Sequence, residues 1–160
     1  MTRVWFGLAA IAAVAVAGGF AVAEAQTGAA QQAAQQIAQR QDLMKANGRA
    51  MRTLTPIVRG EAAWNQQAAV QAATTLHNAA RQIPASFPEG TGPNAGKTDA
   101  LPSIWQNWAD FQAKAKALET ESAKLLELAK AGDEAGFKAQ FPTVARTCGG
   151  CHENFRAKKN

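Results

Sequence analysis

Strand-forming residues are scarce in this chain, and so are the side chains that most often carry chemistry. Aromatic residues make up 7% of the 160 positions and β-branched residues are few, while alanine supplies much of the 47% that is hydrophobic. No convincing strand pattern occurs anywhere, so a sheet has no support and helix is favoured. Charge of one sign is not clustered: the formal net charge is +5, and its spread gives no reason to expect nucleic acid as a partner. The length suffices for one domain with its own core and is too short for two. Cysteine and histidine occur only twice each, which makes their placement the informative feature.

Both cysteines and one histidine fall in a single run, Cys148-Gly149-Gly150-Cys151-His152. This C-x-x-C-H arrangement is what covalent attachment of a c-type haem requires: each sulfur adds to a vinyl group and the histidine ligates the iron. On a helix the three side chains stand at i, i+3 and i+4, so they project toward one flat object, and the two glycines do not obstruct it. Two thiols also admit a short-range disulfide, a thiol redox pair or half of a zinc site. A thioredoxin-like pair would sit near βαβ units, which are absent from the pattern. A structural zinc site usually takes four ligands, and His77 is the only other strong candidate, far away in sequence.

The first 25 residues read as a secretory presequence. Arg3 provides a positive start, Val4 to Val22 is an uncharged apolar run, and Ala23-Glu24-Ala25 offers small residues for cleavage before Gln26. A single membrane anchor is the other reading of a run this long. Cleavage removes Arg3 and Glu24 together and leaves the charge at +5. Export implies, in a bacterium, the periplasm, with no membrane contact once the signal is cleaved.

Four amphipathic segments follow. The first spans Gln26 to about Thr53 with Ile37, Met44, Gly48 and Met51 on one face, and Pro56 is expected to close it. The second runs from Glu61 to about Gln82 through Val70, Ala73, Leu76 and Ala80. A stretch rich in Pro, Gly, Ser, Asn and Thr connects Pro84 to Pro102. The third, about Pro102 to Ala131, carries a seam of Ile104, Trp108, Phe111, Ala115, Leu118, Ser122, Leu125 and Ala129. Gly132 stops it and Asp133 caps the fourth, whose stripe of Phe137, Phe141, Val144, Cys148, Cys151 and Phe155 includes both cysteines. Pro142 is expected to kink or restart that helix. The sum is an all-α, antiparallel four-helix bundle holding a cofactor inside.

A C-x-x-C-H motif on the last of four helices resembles the class II c-type cytochromes, the cytochrome c′ family. The likeness covers about Ile37 to Lys159, including Arg40, the stretch Thr55 to Gly60, Ile104-Trp105 and Cys148 to Arg156. Leu43-Met44-Lys45-Ala46-Asn47-Gly48-Arg49 and the run from Cys151 to Arg156 look like the cytochrome c-556 subgroup. Members of the c′ type leave the sixth iron position open, whereas the c-556 type fills it with a methionine. The resemblance places that ligand on Met44, with His152 opposite. Met51, seven residues on and so roughly 10 Å along the axis, is the other candidate, and a plain core side chain is the bland account of either.

Arg40 matches a family arginine that lies near a haem propionate, where charge-assisted hydrogen bonding explains it. A solvated helix charge is the competing account. His77 reads as an ordinary histidine, and Trp64, Trp105 and Trp108 as packing. The resemblance implies one covalently bound haem c and a soluble periplasmic carrier of single electrons rather than an enzyme. His/Met ligation suits that role by holding both oxidation states in similar geometry. The alternative is a five-coordinate gas- or nitric-oxide-binding protein with an open distal site. Partners implied are redox proteins of unspecified identity. The apolar stripe on the first two helices serves a bundle core or a subunit interface equally, so both a monomer and a homodimer fit.

Overall fold

Sequence rich in alanine and glutamine carries the first helix, α1, over Gly18–Arg59, in a computed structural model that describes residues 18–158. The helix passes through the cleavage position expected before Gln26, and the rest of the presequence, residues 1–17, lies outside the described residues. Pro56 sits within α1 and does not close it. The proline deprives one carbonyl, that of Arg52, near a helix end where carbonyls lack partners anyway, and continuation lets Ile57 and Val58 pack into the core. The stop is Gly60 at φ 75°, a left-handed conformation that glycine adopts without strain. Its amide donates to the Ile57 carbonyl at 3.2 Å.

The second helix, α2 (Gln66–Gln82), starts five residues later than its periodicity suggests. Asn65 decides the start: its backbone is extended and its side-chain oxygen accepts from the Ala68 amide at 2.9 Å. The connection that follows is not wholly irregular, since Pro84–Ser86 and Pro93–Ala95 form single 3₁₀ turns, and Phe87 and Thr91 within it are buried.

The third expected helix is two. A four-residue turn, α3 (Ser103–Gln106), is broken from α4 (Trp108–Ala131) at Asn107. Tertiary hydrogen bonds outweigh helix continuation here. Ser103 Oγ donates to the Asn154 carbonyl at 2.9 Å, the Leu101 amide to the Phe155 carbonyl at 3.0 Å, and Trp105 Nε1 to the Phe87 carbonyl at 3.1 Å. The first two bonds fasten this stretch to the end of the last helix, α5 (Glu134–Phe155), and the third ties α3 back to the start of the connection. Gly132, at φ 69°, ends α4, and Asp133 caps α5 by accepting from the Gly136 amide at 2.8 Å. Pro142 lies inside α5 without restarting it.

Helices α1, α2, α4 and α5 form the all-α, antiparallel bundle; among the described residues the only β pairing is an isolated bridge between Ala100 and Arg156. The expected seam of the third segment is buried from Ile104 through Ala129, with only Trp108 half-buried. Packing is uneven around the ring. Helix α1 packs along α2, α2 along α4 and α4 along α5, but α5 and α1 barely touch among the described residues.

Candidate functional site

The loosely closed α1–α5 seam is where the candidate residues converge by element. From α5 come Cys148 and Cys151, both half-buried, both free thiols, and both packed against the core cluster. Burial pushes both thiols above their ordinary range. For Cys148 it is opposed by hydrogen bonds from its surroundings, including Thr147. Cys151 is pushed up to about 11 by burial, with Cys148 and Asp110 adding to the effect and Lys114 opposing it. A thiol redox pair needs the reverse, a depressed pKa that supplies thiolate. Among the described residues no group of three His, Cys, Asp or Glu side chains could hold a metal ion, so the zinc reading finds no further ligands.

His152 follows on the same helix, half-buried. Burial, with a smaller contribution from Arg156, lowers its pKa, which favours the neutral imidazole that serves as a metal ligand. A Cβ placed on Gly149 or Gly150 would meet nothing within 4 Å. The protein's own atoms therefore do not demand glycine there.

From α1 come Met44 and Arg40, one turn apart. Met44 is half-buried and packs against the core, and Met51 does the same, so burial does not separate the two. Arg40 is not a solvated charge: it is 2% exposed. Its guanidinium donates to the Thr91 hydroxyl at 2.7 Å, the Thr91 carbonyl at 2.6 Å and the Thr98 hydroxyl at 3.0 Å. It also lies over the Phe87 ring, 4.8 Å from the centroid. Burial alone pushes its pKa down, and no carboxylate forms an ion pair with it among the described residues.

The remaining candidates are structural. His77 places Nδ1 3.3 Å from the Glu119 carbonyl, tying α2 to α4. Trp64 packs edge-on against Phe137, and Trp105 and Trp108 join Phe87 and Phe111 in an aromatic cluster that reaches Phe155. Two features escaped the sequence reading. Thr91 and Thr98, which hold Arg40, lie in a connection whose composition reports only irregularity. Asn47, on α1, has a buried side-chain oxygen without a partner, and its one sequence signal is a polar residue on a mostly apolar face.

The residues present fit a covalently attached haem. Two neutral thiols and an imidazole lie half-buried within five residues of α5, which packs only sparsely on α1, and α1 carries a buried cation without a carboxylate partner among the described residues. The family model for cytochrome c′ matches residues 35–156. A cytochrome c-556 from Agrobacterium tumefaciens strain B2A is 36% identical over 78% of this chain and 98% of its own length. A cytochrome c′ from Rhodopseudomonas palustris is 33% identical over 96% of this chain and 97% of its own. Among solved structures, cytochrome c′ from Thermochromatium tepidum superposes with a TM-score of 0.71 at 28% identity, over 78% of this chain and 95% of that one. A nitric oxide complex of a mutant cytochrome c prime from Alcaligenes xylosoxidans gives 0.70 at 28% identity, over 81% and 97%.

Proposed function

The chain belongs to the cytochrome c′ family, whose members carry covalently bound haem c, and on that premise we propose that it is a periplasmic carrier of single electrons with a six-coordinate, low-spin iron. Cys148 and Cys151 would hold the haem through thioether bonds, and His152 and Met44 would supply the nitrogen and sulfur ligands of its iron. When bound, the haem supplies a one-electron couple at its iron. The chain's part is to fix both axial ligands on rigid helices, so that little rearrangement accompanies electron transfer, and to keep water from the ring with the apolar core. Arg40 offers its uncompensated charge to a propionate while its bonds to Thr91 and Thr98 hold it in place. No substrate is transformed, and the partners are redox proteins that meet the moderately basic surface. Export rests on the presequence pattern; among the described residues no helix is long and apolar enough to cross a membrane.

The observation that carries this reading is the likeness to cytochrome c-556, at 36% identity, the subgroup whose resemblance puts the sixth ligand on Met44, a half-buried thioether of α1. The test is the optical spectrum of the oxidised protein. A low-spin spectrum with a sulfur-to-iron charge-transfer band is expected, and Met44→Ala converts it to high spin. A high-spin wild-type spectrum sinks the assignment. The second reading, a gas-binding protein with an open sixth position, draws on the likeness to the Alcaligenes protein solved with nitric oxide, and that spectrum is the result it expects.

A further inference from the structure

Asn47 occupies a position of α1 that an apolar residue would ordinarily fill. It continues a three-four rhythm that runs Ile37, Arg40, Met44, Asn47, Ala50, Leu54 and Ile57, the seam pattern of a packed helix. Its Oδ1 is shut off from solvent, and among the described residues it is the only buried side-chain polar atom without a hydrogen-bond partner. The other polar residues of the interior are satisfied. Ser122 donates to the Leu118 carbonyl at 2.6 Å, Thr91 to the Pro88 carbonyl at 2.7 Å, and Arg40 has its three bonds. Native proteins nearly always give such an atom a partner, and an exception one turn from a candidate iron ligand points to a bond that forms only once the ligand is in place.

We propose that Asn47 is a positioning residue of the axial site, its amide donating to the thioether sulfur of Met44 when that sulfur ligates the iron. The inference rests on the Met44 reading above. A haem offers polar partners in two places, the propionates at its edge and the axial ligand over the iron. Arg40 serves the edge, and Asn47 stands seven residues beyond it, roughly 10 Å along the helix, out of reach of the same carboxylate. Met44 is only three residues from Asn47 on the same face, within ordinary side-chain reach. The two ends of a carboxamide have nearly the same shape, so a half-turn of the last torsion brings Nδ2 to the place where Oδ1 stands. A thioether sulfur is a weak acceptor and keeps a lone pair after binding metal.

The test uses the haem-loaded protein throughout. Asn47→Leu conserves volume and removes the amide; Asn47→Ala is the second variant. Both are expected to remain low-spin with the charge-transfer band, while cyanide displaces Met44 from the ferric iron about tenfold faster, the factor an ordinary net hydrogen bond carries. In a Met44→Ala background, Asn47→Leu is expected to leave cyanide affinity unchanged. Displacement rates equal to wild type in both Asn47 variants overturn the proposal, leaving water as the partner of the orphaned atom. So does a changed cyanide affinity in the Met44→Ala background, because the amide then acts on the incoming ligand. A high-spin wild-type protein without the band overturns the Met44 reading itself, which separates the two failures.

Discussion

The two sides of the bundle are built to different standards. Where α2, α4 and α5 meet, Ala69, Ala73, Leu76, Leu125, Ala129, Phe137 and Val144 are fully buried and apolar, and each finds its contacts within the chain. On α1 and α5 the candidate residues are half-buried thiols, a thioether and an imidazole, with a buried cation without a carboxylate and an amide oxygen without a bond among the described residues. The first side is complete as folded. The second carries groups whose chemistry suits a polarisable, partly anionic ligand, and that difference marks the binding site.

Truncation should separate the two sides. Leu76→Ala, on the complete side, is expected to cost about 2–5 kcal/mol of unfolding free energy, as large-to-small changes in a dry core do, read by urea denaturation. A loss below that range would show that the α2–α4 packing relaxes as freely as the seam. Arg40→Leu should cost about 1–3 kcal/mol by leaving Thr91 and Thr98 without their donor. Measured again in a Cys148→Ala/Cys151→Ala protein that cannot attach haem, the cost should be smaller, because the propionate contribution is gone; an equal cost in both would confine Arg40 to the connection it clamps. Asn65→Ala should cost about 1 kcal/mol through the lost cap of α2, with no change in the optical spectrum, since that helix end lies on the complete side. Lys130→Ala, which removes an exposed ion pair with Glu127, should stay within about 0.5 kcal/mol of wild type and sets the scale against which the others are read.

Much of this was legible before folding. The four segments, the Gly132 stop, the Asp133 cap and the buried seam of α4 all follow from local rules, because helix periodicity and capping are settled within a few residues. Helix boundaries were less legible where distant contacts intervene. Pro56 does not stop α1 since its cost falls at a helix end and burial of Ile57 lies beyond it. The break at Asn107 depends on Ser103 and Trp105 bonding to residues 51 positions downstream and 18 positions upstream. Arg40 is the sharpest case at the site: a lone arginine on a helix carries no mark of burial, and only the connection folded over it supplies the hydroxyls, carbonyl and ring that receive it.

By itself, then, the amino-acid sequence determined the helical class and the haem-attachment chemistry, because C-x-x-C-H places its three groups within little more than one helical turn and needs no distant contact to do so. Only the tertiary structure decided that α1 and α5 pack sparsely, that Arg40 is buried and uncompensated, and that the side-chain oxygen of Asn47 is left without a bond. Those properties belong to elements far apart in the chain, 51 to 58 residues in the case of Arg40 and its hydroxyl partners, and burial exists only once the chain has closed around it.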